Sequence, residues 1–284
     1  MSELNILQNV KPANIVMTPY PHVVVEGALP EKLFNELART YPSMRYVARD
    51  EENLNNKATL RGNAEVLDHP DEVAPIWREF FEFHLSQDFF DAFVRVWGGV
   101  VEQLHPDLPL NFGKPLEAFH AEARATGKGQ SARNQAADIV LDCVFGVNTP
   151  VSKPTAVRGP HIDSPHKLFS SLLYFRTEQD DSRGGDHVMF ELKNRMYPRG
   201  TLKRIPERYV RDVKVIPYRS NLLLFWLNGA HAIHGVTPRH VTQHPRRYVA
   251  VAGECYGDTT TGEYFARDPQ WNRGMDRLRS LLNV

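Results

Sequence analysis

Two histidines and one aspartate, His161, Asp163 and His234, are residue types that bind transition metals. On an extended chain, side chains alternate between two faces, so His161 and Asp163 point the same way and can reach one ion. Two imidazoles and one carboxylate suit a non-haem Fe(II) ion that keeps open coordination positions. The set therefore predicts an iron site at which O2 could be activated.

The His-x-Asp triplet occurs three times, and the surroundings distinguish the copies. The triplets at 69–71 and 105–107 have proline in the middle and lie among polar turn residues. Proline disfavours a central strand, so we expect both to form surface turns. The triplet at 161–163 precedes an apolar run over 168–175, which is typical of a buried strand. Strand context therefore favours this copy as the metal site.

Two candidates compete for the second histidine ligand, His231 and His234. A turn at Asn228-Gly229 precedes both, and the Gly-Val pair after His234 leads into a hairpin whose return strand begins near Arg247. This context favours His234 as the ligand. His231 is then expected to be a rim residue that orients a ligand or contacts the substrate.

Arg247 stands at the start of an apolar strand over 248–253. An inward-facing guanidinium there needs a partner, because a buried unpaired charge is costly. Its planar fork could hold a dicarboxylate cosubstrate, and the Tyr174 hydroxyl could share the same carboxylate. The alternatives are a structural ion pair for the arginine and an ordinary core position for the tyrosine. Arg246 is expected to point the other way, into solvent.

Composition limits the classes of function. The chain has 284 residues, which indicates one large domain or a domain with a helical attachment. Its formal net charge is zero, which argues against general nucleic-acid binding. We find no secretory signal and no apolar run of about 20 residues that could span a membrane. Cys143 and Cys255 lie in apolar runs and are expected to be buried thiols. We therefore expect a cytoplasmic protein that acts on a small molecule; the oligomeric state is open.

The elements predict a single domain, residues 1–284, in three parts. Residues 1–115 supply an N-terminal strand and helical support, with a strand at 20–27 and helices at 30–41, 71–84 and 86–104 around an irregular stretch at 42–70. Residues 116–256 form the core, and residues 257–284 carry a C-terminal helix. The expected core strands are 116–124, 137–147, 156–163, 168–176, 187–193, 209–216, 220–227, 233–237 and 246–254. This pattern predicts a mainly β fold, a jelly roll or barrel with one face covered by the N-terminal helices.

The region from about 137 to 256 resembles the double-stranded β-helix core of the Fe(II)/2-oxoglutarate-dependent oxygenases, in their prolyl-hydroxylase-like branch. Each matching piece is short, and together they follow the family's order. They are His161-Ile-Asp163, Leu172-Leu-Tyr174-Phe175, Gly184-Gly185 leading into Val188-Met-Phe190, His234-Gly-Val236, Arg247-Tyr-Val-Ala-Val and, further upstream, the segment from Pro21 to Leu29.

The resemblance implies cofactors and roles. His161, Asp163 and His234 would bind Fe(II), and Arg247, assisted by Tyr174, would bind the distal carboxylate of 2-oxoglutarate. O2 would be the oxidant, with ascorbate as an optional reductant. The implied reaction is hydroxylation of an unactivated C–H, with the cosubstrate converted to succinate and CO2.

The chain departs from the family in the spacing between Asp163 and His234, which is longer than usual. The surplus lies in residues 193–212, which we interpret as an inserted loop. Basic residues outnumber acidic ones there: Lys193, Arg195, Arg199, Lys203, Arg204, Arg208 and Arg211 stand against Glu207 and Asp212. Over the site mouth such a loop would favour an anionic substrate, and the alternative is a solvated surface loop.

Three residues are further substrate-binding candidates: Arg158 and Lys167, which flank the triplet, and His231. The substrate is expected to be a small metabolite or natural-product intermediate. Other functions remain open at this point: a prolyl or peptidyl hydroxylase acting on a protein, a cupin-like isomerase or hydrolase using zinc or manganese, or a non-catalytic jelly-roll binding protein.

Overall fold

The computed structural model describes residues 2–125, 136–193, 204–256 and 265. Its helices lie in the first half of the chain, where apolar residues recur at helical spacing. They are α1 (Glu31–Arg39), α2 (Met44–Ala48), α3 (Asn63–Asp68), α4 (Pro75–His84), α5 (Gln87–Leu104) and α6 (Leu108–Phe112). The three helices expected at 30–41, 71–84 and 86–104 correspond to α1, α4 and α5.

The longest helix begins where the sequence provides a cap. Ser86 is the N-cap of α5, and its hydroxyl oxygen accepts a hydrogen bond from the backbone N–H of Phe89. Asp88 lies in the first turn, where a negative charge stabilises the helix dipole. Side chains at three- and four-residue spacing, such as Phe93 and Trp97, are fully buried. The helix therefore packs by one apolar face.

Ten strands are described, and β-branched and aromatic residues are frequent in them. They are β1 (His22–Glu26), β2 (Ala58–Gly62), β3 (Ala121–Ala123), β4 (Ile139–Asn148), β5 (Lys167–Tyr174), β6 (His187–Leu192), β7 (Val210–Ile216), β8 (Leu222–Leu227), β9 (His234–Val236) and β10 (Arg246–Cys255). A seven-stranded sheet has the order β1-β8-β5-β10-β4-β2, with β3 pairing in parallel with β4. A three-stranded sheet has the order β7-β6-β9.

In the large sheet, alternate residues of a strand face the helices on one side and the small sheet on the other. In β8, Leu223 and Phe225 pack with the helices, while Leu224 and Trp226 belong to the cluster between the two sheets. In β10, Val249 faces the helices, while Tyr248 faces the small sheet. Both faces of these strands are therefore buried, one under helices and one under the small sheet.

Close packing of Tyr248 depends on a glycine in the neighbouring strand. Gly146 pairs with Tyr248 across β4 and β10, and a Cβ at position 146 would lie 2.2 Å from Cε2 of the ring. No side chain fits at that distance, so the glycine lets the tyrosine ring cover β4. The Tyr248 ring consequently packs against β4 in the space between the sheets.

Three expectations about the fold are corrected. Residues 42–70 are not irregular: they contain α2, α3 and β2, which pairs with β4. The strand expected at 156–163 is reduced to an isolated bridge between His161 and His234. Helix and strand each make up about 29%, so the class is mixed rather than mainly β. The C-terminal helix expected at 268–283 lies outside the described residues.

Two smaller expectations concern burial and membranes. Cys143 and Cys255 are free, buried thiols, as predicted. Among the helices of the described ranges, none is both long enough and apolar enough to cross a bilayer.

Candidate metal centre

The three candidate ligands come together where residue 161 pairs with β9. The backbones of His161 and His234 exchange two N–H···O bonds of 2.9 Å, which sets the two imidazoles side by side. Asp163 follows two residues later, and its Oδ1 lies 3.7 Å from Nε2 of each histidine. One ligand atom from each residue lies within 4.8 Å of the others, so the set can hold a single ion.

Backbone carbonyls orient both imidazoles. Nδ1 of His161 lies 2.9 Å from the carbonyl oxygen of Gly159, and Nδ1 of His234 lies 2.9 Å from that of Ala232. A carbonyl oxygen can only accept, so each ring carries its proton on Nδ1. Each Nε2 then has its lone pair directed to the ion.

A chain of hydrogen bonds holds the carboxylate of Asp163. Its Oδ2 accepts from the Ser170 hydroxyl at 2.9 Å, and the Ser170 oxygen accepts from the Asn228 amide at 3.1 Å. The Asn228 oxygen in turn accepts from the indole N–H of Trp226 at 3.1 Å. Lys167 Nζ lies 3.5 Å from the same Oδ2. These partners leave Oδ1 of Asp163 directed towards the histidines.

The environment sets the protonation states that metal binding requires. Burial alone would raise the pKa of Asp163, but Lys167, the two histidines and the Ser170 hydroxyl outweigh it and lower the pKa below its usual range. Burial, followed by the positive charge of neighbouring groups, lowers the pKa of His161 to about 3. Burial also lowers the pKa of His234. An ionised carboxylate and two neutral imidazoles result.

The other candidate ligands do not join this set. His231 is exposed and lies outside the triad, so the structure brings His234 to the site. The triplets at 69–71 and 105–107 are also separate from it. Pro106 and Asp107 form an exposed turn as expected, whereas His105, at the end of α5, is buried.

The arginines at the start of β10 have the opposite orientations to those expected. Arg246 is only 3% exposed and lies on the interior face. Its Nη2 donates to the Tyr174 hydroxyl at 2.9 Å, and its Nη1 donates to the Asn148 side-chain oxygen at 3.1 Å. Arg247 lies on the helix side, where it donates to a backbone carbonyl and covers the ring of Tyr41. The expectation that Arg247 faces the interior and Arg246 faces solvent is therefore wrong.

Arg246 has no acidic partner within ion-pairing distance in the described ranges. Both of its hydrogen-bond acceptors are neutral, and its Nε is buried without an acceptor there. Rings of Tyr174, Tyr218 and Tyr248 surround the guanidinium at 4.7, 5.2 and 5.3 Å. A buried cation in this setting is incomplete without an anion.

A second buried guanidinium, that of Arg239, adds positive charge near Arg246. Arg239 is fully buried and donates to Asn56, to Thr149 and to the backbone of His244, all neutral acceptors. Burial and the charge of Arg246 lower the pKa of Arg239 to about 10. Nothing in the sequence pattern pointed to Arg239 as part of the site.

Gly185 makes room for both arginines. Its φ is +79°, and a Cβ there would lie 2.8 Å from Arg239 Cγ and 3.4 Å from Arg246 Cδ. Any larger residue would have to displace a guanidinium stem as well as accept a left-handed backbone. Gly185 therefore allows the two guanidinium stems to pack against the backbone, whereas Gly184 allows the close approach of the Pro238 carbonyl.

The remaining candidates occupy the rim. Arg158 is exposed, and its charge contributes to lowering the pKa of both histidine ligands. Lys167 is half-buried and contacts Asp163. In the described part of the insert, Arg211 pairs with Glu191 on an exposed surface. Residues 194–203 of the insert lie outside the described ranges.

No family model and no curated protein matches this chain. Among solved structures, a prolyl-4-hydroxylase of Pseudomonas putida is 14% identical, with 89% of this chain and 97% of that chain covered at a TM-score of 0.43. A prolyl 4-hydroxylase of Phytophthora capsici is 13% identical, with 98% and 72% covered at 0.45. A dioxygenase for auxin oxidation in rice is 12% identical, with 92% and 86% covered at 0.43. Because these scores lie below 0.5, the assignment of the site rests on the chain's own residues.

Proposed function

We propose that this chain is an Fe(II)- and 2-oxoglutarate-dependent dioxygenase that hydroxylates an unactivated C–H of a small, anionic metabolite or natural-product intermediate. One observation carries the proposal: the buried guanidinium of Arg246, bound to Tyr174 and lacking an acidic partner in the described ranges, lies between the same two sheets as the metal triad. A metal-dependent hydrolase or isomerase would need the metal triad but not the buried guanidinium of Arg246.

The topology supports a double-stranded β-helix. The large sheet brings together strands distant in sequence, with β10 between β4 and β5 and with β8 beside β5. The small sheet contains β6, β7 and β9, and the bridge between His161 and His234 adds the preceding segment to it. In the proposed fold these two sheets would be the two halves of a jelly roll, with the triad between them.

The donor set fits ferrous iron. Two neutral nitrogens and one carboxylate oxygen leave positions for a chelating cosubstrate and for O2. When bound, the iron and 2-oxoglutarate would supply the oxidising chemistry, with succinate and CO2 as products and ascorbate as an optional reductant. His161, Asp163 and His234 would hold the iron on one side, and Ser170 would keep the carboxylate in place.

The interior residues would bind the cosubstrate and exclude water. The fork of Arg246 would hold the distal carboxylate, and the Tyr174 hydroxyl, already bonded to Arg246, would share it. The positive charge of Arg239 would add to the attraction for the cosubstrate carboxylate. Tyr248 and Trp226 are buried and apolar over most of their surface, so they would keep bulk water from the site.

We infer an anionic substrate from two basic residues, Arg158 and Lys167, at the rim of the metal site. Arg158 is exposed near the two histidine ligands, and Lys167 lies beside Asp163 on the same rim. An acid, phosphate or sulfate would be attracted to this positive rim. We also propose that the partner is a free small molecule in a cytoplasmic setting rather than a nucleic acid.

Uncoupled turnover tests the proposal. Anaerobic protein loaded with Fe(II) should develop a weak visible charge-transfer band when 2-oxoglutarate is added, and O2 should then yield succinate slowly. The His161→Ala variant should show neither signal. If the wild-type protein binds a divalent metal but gives no band and no succinate, the oxygenase assignment fails, and a cupin-like hydrolase or isomerase becomes the better account.

A further inference from the structure

A third histidine lies inside the site without belonging to the triad. His187 is the first residue of β6 and is 1% exposed. Its ring stacks on that of His234, with centroids 5.2 Å apart and planes 13° apart. The indole of Trp226 lies on another side, with its centroid 5.3 Å away. The imidazole is therefore enclosed by residues of the metal site.

The Nε2 of His187 has no hydrogen-bond partner in the described ranges, and it is closed to solvent. Buried nitrogens of this kind are nearly always paired in native proteins, with protein, water or ligand. An aliphatic side chain would fill the same space without an unpaired nitrogen. The presence of an imidazole here indicates a partner other than the residues that the structure describes, and a bound ligand can supply it.

The position of His187 suggests what that partner is. Two residues upstream, Gly185 lies against the stem of Arg246, and two residues downstream, Met189 is opposite His234 in the strand register. His187 therefore stands along β6 between the guanidinium and the triad. Arg246 also has a buried nitrogen, Nε, without an acceptor in the described ranges.

We propose that His187 is a cosubstrate-binding residue, whose Nε2 hydrogen-bonds 2-oxoglutarate between the metal ligands and Arg246. This inference rests on the proposed function. With the proton on Nε2, a neutral imidazole donates to a carboxylate or keto oxygen. Arg246 supplies charge at one end of the ligand, and His187 adds a directional bond along its length.

Binding of 2-oxoglutarate to Mn(II)-loaded protein, measured by calorimetry, tests the role without turnover. His187→Leu should weaken binding about tenfold, the loss expected for one hydrogen bond. His187→Gln keeps a side-chain amide donor and should recover most of the affinity. Met189→Leu is the matched control, because it changes the next inward residue of β6 without removing a hydrogen-bond donor, and it should stay within about twofold of wild type.

The outcomes are distinct. Mn(II) affinity measured alone should be equal in all four proteins, which separates cosubstrate binding from a disturbed His234. If His187→Leu binds 2-oxoglutarate as tightly as wild type, or if His187→Gln loses as much as His187→Leu, the hydrogen bond is refuted. If the wild-type protein itself binds no 2-oxoglutarate, the proposed function fails first.

Discussion

The two faces of the large sheet differ sharply, although the same strands supply both. On the helix side, Phe93, Phe169 and Phe225 form a fully buried aromatic cluster with ring centroids 4.4 to 6.0 Å apart. On the inner side, alternate residues of the same strands are tyrosines, Ser170 and Arg246, joined by hydrogen bonds. One face mainly stabilises the fold, and the other is the face to which we assign the proposed binding site.

This comparison has an energetic meaning. Burying a large apolar side chain contributes about 1.5–3 kcal/mol, so the helix side supplies much of the stability. On the inner face, Nε of Arg246 has no acceptor among the described residues. A buried unpaired atom of this kind lowers stability, and a ligand could complete its pairing. Substitutions on the two faces should therefore change different observables.

The largest expected effect is on the helix side. Phe225→Ala should lower the free energy of unfolding by about 3–5 kcal/mol, because it leaves a cavity in the aromatic cluster. Trp226→Phe, the next residue and on the inner face, removes the hydrogen bond to Asn228 and should cost no more than about 1.5 kcal/mol. Urea denaturation of the metal-free proteins measures both. Equal losses would contradict the division between the faces.

The next effect concerns the metal. His234→Ala should weaken Mn(II) binding by more than the roughly 100-fold that loss of an outer hydrogen-bond partner costs. His231→Ala should leave Mn(II) affinity within about twofold of wild type, since that side chain is exposed and outside the triad. Competition with a fluorescent chelator measures both affinities. A comparable loss in His231→Ala would mean that the wrong histidine has been assigned.

Two adjacent serines give the finest comparison. Ser170→Ala removes the bond to Asp163 on the inner face and should weaken metal binding about 10–100-fold. Ser171→Ala removes two hydrogen bonds with the backbone of Val251 and should cost about 1–3 kcal/mol of stability without changing metal affinity. Titration and denaturation of both variants separate the roles. Weaker metal binding in Ser171→Ala would contradict the assignment of the metal-supporting role to Ser170 alone.

The pairing of His161 with Asp163 could be predicted from the sequence. Residues two apart on an extended chain point to the same side, whichever side of the segment faces the interior. The helices α1, α4 and α5 were also predictable, because their apolar residues recur along one side. By contrast, β2 is short and lies at a sheet edge, so its weak alternation gave no strand signal.

The orientations of Arg246 and Arg247 were predicted wrongly for a physical reason. The strand over 248–253 is apolar at every position, because both faces of the sheet are buried. Alternation therefore could not show whether Arg246 or Arg247 faces the site. Arg239 and His187 were missed as well, since each depends on contacts between segments distant in sequence.

The most direct test of the account is the affinity of two neighbouring variants for 2-oxoglutarate. Arg246→Met and Arg247→Met alter adjacent residues on opposite faces of β10, and Mn(II)-loaded protein can be titrated without O2. Arg246→Met should weaken binding by about 30-fold or more, since truncating one partner of a buried charge pair costs about 2–5 kcal/mol. Arg247→Met should stay within about twofold of wild type. Equal affinities, or a larger loss in Arg247→Met, would contradict a cosubstrate site between the two sheets.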